Sequence, residues 1–380
     1  MTAPKPGTTS SQRNIGIDIL RGVSILLVVL LHINIHFGFK NSFLAEALPP
    51  MLFSFLFWNG MYGVVIFFTL SGYLITTSIL KRSEELSSIN LRQFYWYRFS
   101  RIMPPLLALL LVLSVLHLTS VEGFVINPNK ASLLRALVAV LTFHLNWLEI
   151  QVGYLPANWD VLWSISIEEC FYLVFPVVCF FLKKDGHFAF ILLAFLFISP
   201  WARVELFPEN DLAYKNHLGS IDAIAMGCMT AILAHRRTLP RKLLMVFLLL
   251  GVGLMVLVMF FKGVVWRSGI TPLGLNVTLL SLGVSLVVFW MHHLQHSGKQ
   301  RNYRALNGLR RMGLYSYEIY LTHMFVVILA AQYFRSAELG PDWLVPFAAL
   351  CVLLSYGLGW LVATRFSEPV NLRLRKWKRK

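Results

Sequence analysis

Charge is what this sequence has least of. Asp, Glu, Lys and Arg make up 14% of its 380 residues, against 57% hydrophobic ones, and the mean hydropathy is +0.65. That balance excludes a soluble globule. Apolar stretches of about 20 residues recur along the chain, which describes a polytopic membrane protein with one membrane domain. Acidic residues are the scarcer kind, 18 against 34 Lys and Arg, for a formal charge of +16. Such an excess would suit a nucleic acid, but the basic residues stand in short blocks between apolar runs, the pattern of cytoplasmic loops. No nucleic-acid partner is therefore expected. Four cysteines (Cys170, Cys179, Cys228 and Cys351) all lie within apolar runs and without CxxC spacing. They indicate neither a disulfide framework nor a zinc site, and no metal is expected. The GxSxG elbow, the P-loop, the GxGxxG fingerprint and HExxH are missing too, which argues against soluble-type hydrolase, ATPase, dehydrogenase or metalloprotease chemistry.

What is present is a series of apolar runs. Residues 14–38, 53–80, 102–118, 163–182, 188–207, 218–234, 243–261, 273–293, 314–334 and 343–364 each read as a span. The first carries Asp18 and Arg21 and no small-residue cleavage site, so it is expected to stay in place rather than act as a removable signal. The second is long for one crossing, and its first third is expected in the interface, anchored by Trp58. Residues 81–101 form a basic loop expected in the cytoplasm. If Lys183 and Lys184 lie on the same side, the three runs after Arg101 hold an even number of crossings. The weakest, residues 132–160, carries Arg135, His144 and Asn146 and is read as a re-entrant or interfacial segment. The expected fold is thus an all-α transmembrane bundle of about ten spans over residues 14–364. Residues 1–13 and the basic residues 365–380 are expected as cytoplasmic tails, with no extramembrane domain.

Four constellations can carry chemistry. In the first span Arg21 and His32 are eleven residues apart, which on a helix returns to within roughly 20° of the same face, about 16 Å along the axis. Asp18 and His36 continue the stripe. Ionisable groups in a span must face protein or water rather than lipid, and an imidazole there can act as a general base. The second is YRFSRIMP, where Arg98 and Arg101 stand at the mouth of the third span. They can hold a phosphate or diphosphate; an anchor to lipid headgroups explains the spacing equally well. The third, WSISIEECFYLVFP, sets Glu168 and Glu169 early in an apolar run, where a carboxylate needs an Arg, a His or water. One of them is a candidate partner for His32 or for a substrate hydroxyl; snorkelling at the interface explains one of the two as well. The fourth, YSYEIYLTHMF, contains Glu318 and His323, with His323 a weaker candidate than His32. Asp222, in HLGSIDAIAMG, has similar standing.

The ordered set GIDILRGVSILLVVLLH, FFTLSGYLI, YRFSRIMP, WSISIEECFYLVFP and YSYEIYLTH resembles the integral-membrane acyltransferase-3 family, bacterial O-acyltransferases, over nearly the whole chain. Arg21 followed by ten residues and His32 matches that family, as do the Arg98-x-x-Arg101 pair and the glutamate at 168 or 169. Cys170 replaces a glutamine common there. The resemblance implies a multi-pass protein of the bacterial inner membrane, using acyl-CoA, most often acetyl-CoA, as donor from the cytoplasm. It implies a hydroxyl acceptor on a cell-surface or lipid-linked carbohydrate, or on a small molecule. Arg98, Arg101 and Arg21 are then expected to hold the donor's phosphates. His32 is expected to be the catalytic base, oriented by Glu168 or Glu169, or an acyl carrier itself. Asp18, Asp222 and His323 are left as substrate contacts or structural support. The rival reading is a transporter or flippase of a lipid-linked saccharide, which would release no CoA.

Overall fold

The computed structural model describes residues 13–182, 185–207, 212–296 and 304–377. The polar tail at residues 1–12, Lys183 and Lys184, and part of the basic loop 295–311 lie outside them. Among the described residues every regular element is helical. Ten long helices form the bundle: α1 Ile15–Phe37, α2 Gly60–Ser83, α3 Leu91–Leu118, α4 Trp163–Phe181, α5 Asp185–Glu205, α6 Ile221–Arg236, α7 Arg241–Phe260, α8 Leu275–His296, α9 Ser316–Ser336 and α10 Leu344–Val362. Nine spans among the described residues are long and apolar enough to cross a membrane, and a tenth if α9 is counted with the helix Asn307–Leu314 before it, from which it bends by 81°. The polar face of α9, with Ser316, Glu318, Thr322 and His323, is what lowers its hydropathy.

Residues 132–160 do not form a long helix. They fold into the short helices Leu133–Leu141 and Leu145–Val152 and the start of Asn158–Val161, none long enough to cross. The second apolar run likewise divides, into Pro50–Phe57 and α2, with Trp58 exposed at the break.

Two boundaries differ from the sequence reading. The third span begins at Leu91 instead of residue 102, because Asn90 caps it by accepting a hydrogen bond from the Gln93 amide at 2.9 Å. Much of the expected basic loop is therefore helix. The basic tail is not a free tail either: α10 passes through a π-helical turn, Ala363–Ser367, into a helix Glu368–Trp377 that packs along α3. Ser100 donates to Asn371 at 3.0 Å and the Trp96 indole donates to the Leu374 carbonyl at 3.1 Å, which fixes that docking.

Close crossings set the core. α2 packs on α6 where Gly72 and Gly227 face the other helix's backbone; a Cβ on Gly227 would stand 1.9 Å from the Thr69 carbonyl oxygen. Without side chains at these points the backbones approach as small residues allow in membrane bundles. α1 lies against α2, α9 and the helix Asn307–Leu314, and so has protein on several sides. This burial lets α1 carry ionisable groups.

Candidate active site

A cavity of about 490 Å3 opens at the end of the bundle that carries the basic blocks and runs inward along α2 from Ser83 to Val64. Five guanidinium groups line it (Arg21, Arg82, Arg98, Arg101 and Arg375) against two carboxylates, Glu168 and Glu169. Two of the five were not singled out from sequence. Arg82 ends α2, and Arg375 belongs to the docked C-terminal helix. Their guanidinium carbons each lie 4.8 Å from the Tyr97 ring centroid.

Arg98 is the structural member of the set. It donates to Glu169 at 2.6 Å, lies 3.8 Å from Glu168, and stacks on the Tyr172 ring at 3.4 Å. Glu168 accepts hydrogen bonds from Ser71 and Tyr172. Ser71 was not legible as a partner, because it lies in FFTLSGYLI on another helix, whereas Tyr172 stands four residues after Glu168 in the same motif, a spacing that sequence could have flagged. Arg21 donates to Ser316 Oγ at 2.9 Å. Arg101 makes no hydrogen bond or ion pair among the described residues and projects exposed into the cavity. A ligand with several negative charges fits this lining.

The face shared by Arg21 and His32 is real: both point at α9, Arg21 to Ser316 and His32 to His323. The orientation of His32 differs from the expectation. Glu168 and Glu169 are engaged by Ser71, Tyr172 and Arg98, and neither bonds to His32. Its partner is His323, whose Nε2 stands 3.2 Å from His32 Nδ1. The hydrogen-bond pattern fixes the tautomers. His323 Nδ1 faces the carbonyl oxygens of Tyr320 at 2.8 Å and Ile319 at 3.1 Å, so it carries the proton and Nε2 accepts. His32 Nδ1 faces that acceptor and the Val28 carbonyl oxygen at 2.8 Å, so it is the donor. The lone pair is left on His32 Nε2, which bonds to nothing among the described residues. The Val28 carbonyl and His323, the weaker candidate from sequence, together hold His32 in that state.

Neither His32 nor His323 lines the basic cavity; its inner end stops at Ser164 and Tyr320, one turn before His323 on α9. Ser164 and Tyr320 line the cavity and share a hydrogen bond of 2.7 Å. Tyr320 also donates to the Val161 carbonyl at 2.7 Å, and its ring centroid lies 5.9 Å from that of His323. The short helix Asn158–Val161 is tied to α9 a second time, by Asn158 donating to the Leu321 carbonyl at 2.7 Å. Its own footing is a buried triad that sequence reading missed. Lys215 donates to Asp160 at 2.6 Å and to Glu149 at 2.7 Å. Burial, together with the neighbouring Asp160, pushes the Glu149 carboxyl well above the usual carboxylate range, against the pull of Lys215. Burial draws the Lys215 ammonium down, but Asp160 and Glu149 outweigh it and hold its pKa above the ordinary value.

Two other candidates are used elsewhere. Asp18 accepts from Arg13 at 2.8 Å in the first turn of α1 and does not line the cavity. Asp222 is held by both terminal nitrogens of Arg203 at 2.9 Å and by Thr278 at 2.6 Å, an ion pair that joins α5, α6 and α8. Among the described residues no group of three or more His, Cys, Asp or Glu side chains is arranged to hold a metal ion.

A family model described as an acyltransferase domain matches residues 14–360. The chain belongs to the acyltransferase-3 family. The peptidoglycan O-acetyltransferase OatA of Listeria monocytogenes is 26% identical to it over 340 residues, 82% of this chain and 49% of that protein. The O-acetyltransferase OatA of Staphylococcus aureus is 22% identical over 345 residues, 85% of this chain and 52% of that protein. A putative O-acetyltransferase of S. aureus is 26% identical over 233 residues, 57% of this chain and 34% of that protein. The chain spans about half the length, or less, of these curated relatives. No solved structure matches it.

Proposed function

We propose that this acyltransferase-3 protein is an O-acetyltransferase that uses cytoplasmic acetyl-CoA to acylate a hydroxyl of a cell-surface or lipid-linked carbohydrate. One observation carries the reading: a cavity lined by five arginines leads inward to Ser164 and Tyr320, one turn along α9 from a histidine pair whose outer member has an Nε2 without a partner among the described residues. The excess of Lys and Arg at the cavity's mouth supports a cytoplasmic opening in the inner membrane, and both termini are then cytoplasmic. Arg101, Arg21, Arg82 and Arg375 hold the donor's phosphates, and the apolar wall formed by Val64, Phe67 and Phe68 takes the pantetheine arm.

His32 Nε2 takes the proton of the acceptor hydroxyl as its oxygen adds to the thioester carbonyl, and gives it to the departing thiolate as the carbon–sulfur bond breaks. The Val28 carbonyl and His323 keep the His32 Nδ1 proton in place throughout. The relatives named O-acetyltransferases support acetyl as the group moved. The test is release of free CoA from acetyl-CoA by protein in nanodiscs, with and without a glycan extract, wild type against His32→Ala. Glycan-stimulated release in the wild type and none in a variant of unchanged thermal stability is the expected result. Normal release by the variant would overturn the assignment of His32, and a wild type that transports glycan without consuming thioester would overturn the enzyme.

A further inference from the structure

A second cavity, of about 380 Å3, opens at the opposite end of the bundle. Its size falls within the roughly 300–1,000 Å3 of small-molecule sites. It is lined by Trp58, Tyr62 and Tyr214 as aromatic groups and by Arg203, Lys262 and Asn276 as polar ones. Aromatic faces beside an amide and hydroxyls suit a sugar ring, whose C–H face lies on the rings while its hydroxyls find donors and acceptors. Trp58 is 55% exposed at the cavity's rim. Asn276 donates to the Tyr62 hydroxyl at 3.1 Å, which fixes both side chains.

The two cations in this lining are not equivalent. The charge of Arg203 is spent on Asp222. Lys262 donates to the Trp58 carbonyl at 3.1 Å and lies 5.6 Å from the Tyr62 ring centroid. No carboxylate among the described residues pairs with it. Burial without an anion lowers its pKa to about 8. A cation in that position recovers what it lost in hydration when an anionic ligand group arrives.

The cavity also backs onto the basic one. It reaches α2 at Tyr62, two residues from Val64 of the basic cavity. Between the two, Tyr214 packs edge-on against Trp163 at 5.8 Å, and Trp163 edge-on against Phe68 at 6.3 Å. α1 is level with this partition: Gly60 abuts Leu31, the neighbour of His32.

We propose that this second cavity is the acceptor site, and that Lys262 selects a carbohydrate bearing a carboxylate. The inference rests on a carbohydrate being the acceptor and names the class of sugar. The test is binding to the full chain in nanodiscs, without acyl donor, of a hexuronic acid trisaccharide and of the same trisaccharide with its carboxyls converted to primary amides. The wild type binds the acid form at least tenfold more tightly, about 1.4 kcal/mol. Lys262→Met, checked for an unchanged unfolding temperature, brings the ratio to near one, and Lys262→Arg keeps it. A wild type that binds neither form, or binds both equally, overturns the proposal, as does a preference that survives Lys262→Met. Acyl transfer is read separately by CoA release: a preserved carboxylate preference with no release on any glycan would sink the proposed function and leave the binding site standing.

Discussion

Arg98 and Arg101 are three residues apart in one motif, and replacing each with Ala should have opposite consequences. Arg98 is 19% exposed and bonded to a Glu169 side chain that is 11% exposed, with Glu168 at 3.8 Å and Tyr172 stacked beneath it. Removing it leaves two carboxylates without their cation at the half-buried wall of the cavity, a loss of about 1.5–3 kcal/mol, the worth of a hydrogen bond between charged groups. Arg101 makes no hydrogen bond or ion pair among the described residues, so Arg101→Ala should unfold within about a degree of the wild-type temperature. What it loses is a charge-assisted hydrogen bond to a donor phosphate, about 1.5–3 kcal/mol, or roughly 10- to 100-fold in the dissociation constant for acetyl-CoA. The assay is thermal unfolding in detergent beside acetyl-CoA titration in nanodiscs. A second arm at raised ionic strength should weaken binding to the wild type more than to Arg101→Ala, since exposed charges are screened. Arg101→Ala unfolding as early as Arg98→Ala would refute the division of labour. Unchanged acetyl-CoA binding by Arg101→Ala would refute the phosphate role.

Two further outcomes follow from the site. His323→Leu removes the acceptor facing His32 Nδ1, while the Val28 carbonyl remains; turnover should fall roughly two- to tenfold, the worth of one neutral hydrogen bond, with acetyl-CoA binding intact. His323→Gln, which offers a carbonyl acceptor, should recover most of the loss, and a failure of Gln to do better than Leu would count against the tautomer argument. In the triad, Glu149 has a folded pKa above its unfolded value, so the stability it contributes is full at low pH and is lost as pH rises through the folded pKa. Glu149→Gln keeps an acceptor for Lys215 and cannot ionise, so thermal scans from pH 5 to 9 should show a flatter decline than the wild type. A steeper decline would contradict the raised pKa. Lys215→Met removes the cation that Glu149 and Asp160 share and should lower the unfolding temperature at neutral pH more than Glu149→Gln does.

The spans were legible because hydropathy is a one-dimensional property: each crossing must present its own apolar run, whatever its neighbours. The stripe of Arg21 and His32 was legible for the same reason, since a helix fixes which of its own residues share a face. Partnership between helices is not written in that way. Arg98 and Arg101 look alike along α3, and only the arrival of α4 with Glu169 and Tyr172 makes one a support and leaves the other open to a ligand. His32 was expected to meet a glutamate because a carboxylate in an apolar run needs an Arg, a His or water. Ser71 and Tyr172 satisfy Glu168 first, and α9 brings His323 instead. Arg375 was hidden by composition: a basic C-terminal stretch reads as a solvated tail, yet its amphipathic turn after the π-helical Ala363–Ser367 lays it along α3 with its guanidinium in the cavity. The triad Glu149–Lys215–Asp160 was hidden by distance in sequence, since its two acids share residues 132–160 but its cation comes from the connection between α5 and α6. A buried cation with two anions becomes visible only when the loops that carry them are folded against one another. What escapes the sequence is therefore the set of charges whose meaning depends on a second helix. In this bundle that set includes the orientation of the proposed base.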